Sequence, residues 1–144
     1  MDASRSLHIS YAHAQLPQAG LGNMLFVWAK ARVFADINQL PFISSSWVKP
    51  RIGSFLRREK HKRIYHGYFK QGSSADMIDR IRVLLSHRPV MEPDIGLVSS
   101  RYERIRYVFY NQAHWSDWFA GIKEYRDQLR AHLYRMVAET HRRR

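Results

Sequence analysis

Apolar and polar positions in the first third of the chain follow the order strand, turn, helix, strand. Residues 7–14 (LHISYAHA) alternate loosely, which predicts a strand, and a turn segment with proline and glycine follows. Asn23 suits a helix N-cap, and residues 41–46 (PFISSS) predict a second short strand. Between them, apolar side chains recur at helical spacing on one wide face: Leu25, Phe26, Trp28, Ala29, Val33 and Ile37. This order is that of a βαβ unit, so we predict a parallel sheet.

The middle of the chain has one clear amphipathic segment among weaker patterns. Residues 74–87 predict a helix that the following prolines end, with an apolar face formed by Met77, Ile78, Ile81, Leu84 and Leu85. Residues 50–63 form a basic stretch, which we interpret as a solvated loop or a short helix. Further strands are predicted for residues 64–69 (IYHGYF), 95–98 (IGLV) and 104–110 (RIRYVFY).

The carboxy-terminal region has the strongest helical periodicity. One apolar stripe predicts a helix from about residue 116 to residue 140, and its members are Trp115, Trp118, Phe119, Ile122, Tyr125, Leu129, Leu133, Met136 and Val137. The 144 residues contain no internal repeat or low-complexity linker, and this length suits a single core. We therefore predict one α/β domain over residues 1–144, a Rossmann-like parallel sheet with flanking helices.

Composition narrows the classes of partner. The 24 Lys and Arg residues against 12 Asp and Glu residues give a net charge of +12, which suits an anionic partner such as nucleic acid, a lipid headgroup surface or a phosphorylated small molecule. The absence of cysteine excludes disulfides and a thiol nucleophile. The first residues lack a secretory pattern and no segment is apolar enough to span a bilayer, so a cytoplasmic protein is the expectation.

The segment Gly20-Leu21-Gly22-Asn23 combines a glycine-rich turn with a helix start. Glycines let a ligand approach the backbone, and a helix start presents free N–H groups and partial positive charge to an anion. However, the segment lacks the third glycine of the dinucleotide-binding motif, and no acidic residue follows near residues 40–46 to hold a ribose. By pattern alone, a tight turn without a ligand is an equal alternative.

The longer string QAGLGNMLFVWAKARVFA resembles the opening of the α-1,2-fucosyltransferase-like glycosyltransferases. Their first loop reads Gly-Gly-Leu-Gly-Asn-Gln, followed by Phe, an aromatic-Ala pair, Arg and Leu-Ala. The matching positions here are Gly20, Leu21, Gly22, Asn23, Phe26, Trp28, Ala29 and Arg32. Ala19 replaces the first glycine and Met24 replaces the glutamine, so the loop is stiffer and has one amide fewer.

Two less specific segments extend the resemblance over most of the chain. IYHGYF is similar to the family's Gly-Tyr-Phe or Gly-Tyr-Trp segment before a helix. Residues 109–137 are similar to the helical segment that precedes the family's donor motif. That motif, His-x-Arg-x-Gly-Asp, pairs its arginine with the nucleotide diphosphate, and it does not occur in this sequence. We therefore expect the chain to correspond to the amino-terminal half of such an enzyme, truncated before the donor-binding domain.

The resemblance implies a metal-independent, inverting transferase with two facing Rossmann-like halves. GDP-fucose would lie mostly in the carboxy-terminal half, while the amino-terminal half would contribute Gly20, Leu21, Gly22 and Asn23 to the cleft and help to bind the glycan acceptor. The chain alone would be inactive. Without its partner domain, apolar surface would face water, so self-association is expected.

The residues do not identify the catalytic base that would deprotonate the acceptor hydroxyl. Asp36, His13 and His66 are candidates by chemistry alone, and a structural or surface role is the alternative for each. The histidine pairs at positions 8/13 and 61/66 are five residues apart, which separates their side chains on either a helix or a strand, so no metal site is predicted.

A basic nucleic-acid-binding module is the alternative from another functional class. The run Arg57-Arg58-Glu59-Lys60-His61-Lys62-Arg63 could follow a phosphate backbone, but it lacks the interleaved aromatic residues that stack on bases. Weak nonspecific binding of anions is expected in either case. Basic stretches could also hold a transferase at the inner membrane surface, although no basic amphipathic helix supports this location.

Overall fold

The computed structural model describes residues 9–47, 68–70, 74–110, 121–137 and 139–142. The predictions for residues 50–63, for most of 64–69 and for the start of the last helix lie outside these ranges. The elements, in chain order, are β1 (Tyr11–Ala14), α1 (Leu21–Asn38), β2 (Phe42–Ser44), α2 (Ser74–Ser86), β3 (Arg88–Met91), β4 (Ile105–Phe109), a 3₁₀ turn (Lys123–Tyr125), α3 (Arg126–Met136) and α4 (Glu139–Arg142).

The four strands form one sheet in the order β2-β1-β4-β3, and every pairing is parallel. β1 is central, with Ala12 opposite Phe42 of β2 on one side and Tyr107 of β4 on the other. The strand-helix-strand order of β1, α1 and β2 is the predicted βαβ unit. The prediction of an α/β fold with a parallel sheet is confirmed, and the arrangement is consistent with a Rossmann-like fold.

The main core lies between α1 and one face of the sheet. Ala12 and Ala14 of β1 are fully buried there. Phe34 of α1, also fully buried, packs its ring 5.0 Å from the ring of Tyr107 and 5.3 Å from that of Phe109. Small residues on β1 let the helix approach the sheet closely, and the aromatic residues of β4 fill the remaining space.

The N-cap of α1 lies three residues before the predicted one. Gly20, with an extended backbone (φ −61°, ψ 160°), is the N-cap, and the Met24 N–H donates to its carbonyl oxygen at 3.2 Å. Asn23 therefore lies inside the first turn, and the prediction that it caps the helix is wrong. Glycine is well tolerated at an N-cap, and α1 has no side-chain cap.

The predicted strand at residues 95–98 is instead a loop. The buried side chain of Asn38, at the end of α1, holds this loop: Nδ2 donates to the Gly96 carbonyl at 2.8 Å, and Oδ1 accepts from the Val98 N–H at 2.7 Å. Hydrogen bonds to a side chain take the place of a strand ladder here.

The strand next to β4 is β3, which contains Pro89 and was not predicted. The Arg88 N–H donates to the carbonyl of Arg104, the residue before β4. The Glu92 N–H donates to the carbonyl of Val108 in β4. Because alternate residues face the neighbouring strand, Pro89 directs its nitrogen away from the ladder. Proline is compatible with this strand because β3 ends the strand order of the sheet.

The long carboxy-terminal helix is interrupted, contrary to the prediction. Gly121 has a left-handed backbone (φ 72°), and α3 begins only at Arg126. At Val137 the chain becomes extended (φ −65°, ψ 136°) and forms an antiparallel bridge with Phe69. The apolar stripe still contributes to the core where it is described, through Ile122, Tyr125, Leu129, Leu133 and Met136. Trp115, Trp118 and Phe119 lie outside the described residues.

No helix in the described part of the chain is both long enough and apolar enough to cross a membrane.

Candidate functional site

The loop after β1 is fixed by both neighbouring strands. The Gln15 N–H donates to the carbonyl of Phe109, the last residue of β4, at 2.8 Å. The Leu16 N–H donates to Oγ of Ser45 at 2.8 Å, and the Ser45 N–H donates to the Ala14 carbonyl at 2.9 Å. Since Leu16 is also buried, the loop has a defined course between the carboxyl ends of β2 and β4 before it reaches α1.

The four residues predicted to contact a ligand lie together at the start of α1. Gly20 is the N-cap, and Leu21, Gly22 and Asn23 form the first turn. A Cβ atom added at Gly20 or Gly22 would meet no atom within 4 Å. Packing in the described structure therefore does not require glycine at these two positions, and the backbone is accessible to a ligand.

The start of α1 is suited to binding an anion. The first turn contains no acidic residue, and the first helical hydrogen bond is that from the Met24 N–H to the Gly20 carbonyl. The amides of Gly22 and Asn23 precede that bond, so they point out of the helix end as donors. Together with the dipole of an 18-residue helix, they give this end partial positive charge.

Asp36, one candidate for the base, is far from this site. It lies sixteen positions after Gly20 on the same helix, which corresponds to about 24 Å along the axis. Its carboxylate is also occupied: it accepts from Arg32 at 2.9 Å, from Gln128 at 2.7 Å and from His132 at 3.1 Å. Asp36 therefore joins α1 to α3 and does not serve the glycine-rich loop.

His13, the second candidate, lies on the opposite face of the sheet from α1. Burial, helped by the positive charges of Arg106 and Arg80, lowers the pKa of His13 from 6.5 to about 4, so the ring is neutral near pH 7. Nη1 of Arg106 donates to its Nδ1 at 2.9 Å. A guanidinium group can only donate, so the proton of the neutral ring is on Nε2. With Nδ1 occupied and Nε2 protonated, His13 has no free lone pair to act as a base.

His66, the third candidate, lies outside the described residues. Arg80 and Arg106, which approach His13 from α2 and β4, were not among the predicted site residues. The alternation of residues 104–109 was a signal for Arg106, because it places Arg106 on the face of β4 opposite Tyr107 and Phe109. No sequence pattern predicts that Arg80 on α2 lies near His13 on β1.

Within the described ranges, no three His, Asp or Glu side chains are grouped closely enough to hold a metal ion. Comparison of the chain with protein-family models, with curated proteins and with solved structures finds no match.

Proposed function

We propose that this chain is the acceptor-side α/β domain of a fucosyltransferase-like glycosyltransferase that uses GDP-fucose as its donor. The observation that carries the proposal is the start of α1, where Gly20 and Gly22 leave the backbone uncovered at the end of an anchored loop. The same residues, with Leu21 and Asn23, carry the specific part of the sequence resemblance.

The position of this turn supports a role in ligand binding. In open parallel α/β sheets, ligands bind outside the carboxyl ends of the strands. The glycine-rich turn follows the carboxyl end of β1, and hydrogen bonds from the ends of β2 and β4 fix the loop that leads to it. The amides of Gly22 and Asn23 would donate to oxygen atoms of the nucleotide sugar or of the acceptor.

The proposal assigns only part of the transferase chemistry to this chain. Inverting transfer requires a base for the acceptor hydroxyl and cations for the departing diphosphate. The His-x-Arg-x-Gly-Asp motif that would hold the diphosphate is absent from these 144 residues, and neither Asp36 nor His13 is arranged as a base. A second domain would supply the main contacts to the nucleotide.

Amide NMR of the uniformly ¹⁵N-labelled chain tests this assignment. GDP-fucose, GDP and a galactoside are added separately and then together. We expect the largest shifts at the amides of Leu21, Gly22 and Asn23, and we expect larger shifts with GDP-fucose than with GDP. Shifts that are absent from this turn, or that are identical for GDP and GDP-fucose, would contradict a sugar-binding role.

A matched pair of variants separates binding at the turn from general effects. Gly22→Val places a branched side chain beside the exposed amides without a steric clash, because a Cβ there meets no atom within 4 Å. Gly96→Val introduces the same change in a loop with equal space. We expect Gly22→Val to remove the shifts and Gly96→Val to retain them. Equal loss in both variants would argue against the proposed site.

A further inference from the structure

The face of the sheet opposite α1 combines polar residues, His13 and Arg106, with the fully buried Val108, and α2 contacts this side of the sheet. His87, just after α2, packs its ring against Tyr11 of β1 at 5.2 Å, and its Nε2 donates to the Ile9 carbonyl at 2.8 Å. Arg80 donates from Nη1 to the carbonyl of Ser44, the last residue of β2, at 2.8 Å. The helix therefore directs Arg80, Val83 and His87 toward the sheet.

This inward face differs from the one that the sequence predicts. The apolar residues of α2 expected to be buried are exposed by 38% to 84% of their surface: Met77, Ile78, Ile81, Leu84 and Leu85. Val83 is 4% exposed instead. On the inward side of α2, Arg80 donates to the Ser44 carbonyl, and its positive charge acts on His13.

The side chains of His13, Arg80 and Arg106 on this side of the sheet offer mainly hydrogen-bond donors. Arg106 Nη1 donates to Nδ1 of His13, so the His13 proton is on Nε2. Nε of Arg106 is buried and has no hydrogen-bond partner in the described part of the chain. Arg80 makes its hydrogen bond to a carbonyl oxygen and not to a carboxylate. The cluster thus has more donors than acceptors.

The cluster also has excess positive charge. In the ranges that the structure describes, neither Arg80 nor Arg106 forms an ion pair with Asp or Glu. Burial lowers the pKa of Arg106, and the charges of Arg106 and Arg80 help to lower that of His13. Partly buried guanidinium groups are costly without a counter-charge, and an anion would provide one.

We propose that His13, Arg80 and Arg106 form a binding site for a phosphoryl group. Guanidinium groups bind phosphate oxygens through paired N–H donors, and a phosphate monoester carries close to two negative charges, which matches two arginines. His13 would donate from Nε2. His13 is the penultimate residue of β1 and Arg80 reaches the last residue of β2, so these two lie toward the carboxyl end of the sheet. Arg106 is the second residue of β4, and its side chain reaches His13. This proposal does not depend on the glycosyltransferase assignment.

Titration of the intact chain with inorganic phosphate and pyrophosphate at constant ionic strength and pH 7 tests the site. Binding is followed by calorimetry and by the imidazole ¹⁵N spectrum. We expect saturable binding that shifts the His13 Nε2 resonance. Arg80→Gln and Arg106→Gln should each weaken binding by about tenfold or more, as expected for a charge-assisted contact. Circular dichroism checks that each variant is folded.

Arg82→Gln is the matched control, because Arg82 is on the same helix and its side chain is 60% exposed. This variant should bind within about twofold of wild type, since an exposed charge contributes little. If Arg106→Gln does not fold, Arg80→Gln alone decides the result, because Arg80 holds only a carbonyl oxygen. Equal weakening by Arg82→Gln, acetate binding as tight as phosphate binding, or no saturation by about 10 mM would overturn the proposal.

Discussion

The Asp36 carboxylate on α1 accepts a hydrogen bond from Nε2 of His132 on α3 at 3.1 Å. Nη2 of Arg135 approaches the other ring nitrogen at 3.4 Å and can only donate, so His132 is a neutral ring with its proton on Nε2. Burial and the charge of Arg32 lower the pKa of His132, and Asp36 only partly opposes them. This contact joins α3 to the central βαβ unit.

Replacing Asp36 should weaken the attachment of α3. Asp36→Ala removes the acceptor for Arg32, Gln128 and His132, and we expect a loss of about 1–3 kcal/mol in the free energy of unfolding, measured by urea denaturation. Asp127→Ala is the control, because Asp127 is 85% exposed and its Arg126 partner is 3.8 Å away. If the two variants lose equal stability, the Asp36 contacts do not hold the helix.

The buried neutral His13 should make the fold sensitive to acid. Its pKa is about 4 in the folded protein and 6.5 when exposed, so between these values the unfolded chain binds a proton that the folded protein does not. The stabilisation that results from this pKa difference is therefore fully present above pH 6.5, and it decreases as the pH falls toward 4. A pKa difference of this size corresponds to about 3 kcal/mol.

Urea denaturation of wild type and His13→Gln at pH 7.5 and pH 4.5 measures this contribution. We expect a clearly smaller acid-induced loss in the variant, because glutamine does not titrate. His141→Gln, at an exposed position, should retain the full loss. An acid-induced loss that is the same in His13→Gln and wild type would show that His13 is protonated in the folded protein.

Truncation of Phe34 should be among the most damaging changes to the core. The side chain is fully buried between α1 and the aromatic residues of β4, and its removal leaves a cavity. We expect Phe34→Ala to cost about 3–5 kcal/mol. Leu85→Ala should have little effect, because Leu85 is 84% exposed. Thermal melts of both variants test this difference, and a larger loss for Leu85→Ala would mean that α2 buries its apolar face.

The sequence predicted those parts of the fold that depend on local pattern. The βαβ unit, the helix at residues 74–86 and the strand at 105–109 all have clear periodicity, and the structure contains them. β3 was missed because Pro89 normally disfavours a strand, and only its place at the end of the strand order makes it compatible. The break at Val137 was missed because the bridge to Phe69 is a tertiary contact.

The candidate site was predictable only in part. The glycine-rich turn is a local feature, so the sequence located it at the start of α1 after β1. The cluster of His13, Arg80 and Arg106 draws on three separate elements, and its formation depends on strand order and on the orientation of α2. Helical periodicity gave the wrong orientation for α2, because it reflects only the helix's own side chains and not the residues against which they pack.

The isolated chain should not transfer fucose at a useful rate. The diphosphate-binding motif is absent from the sequence, and no base is arranged among the candidates that the structure describes. Incubation of the purified chain with GDP-fucose and galactoside acceptors should give only background product, measured by release of GDP. Heat-denatured protein is the control. Robust turnover would show that the donor site lies within these 144 residues.

The net charge of +12 provides a test against the alternative of a nucleic-acid-binding module. A transferase domain should bind duplex and single-stranded DNA weakly and without regard to sequence. Because such binding is driven by counterion release, it should nearly disappear by about 0.3 M salt. Fluorescence anisotropy with labelled oligonucleotides over a salt series measures this dependence, with a sequence-scrambled oligonucleotide as the control. A dedicated nucleic-acid binder would instead keep submicromolar affinity near physiological salt, and retention of that affinity at about 0.3 M would favour the alternative function.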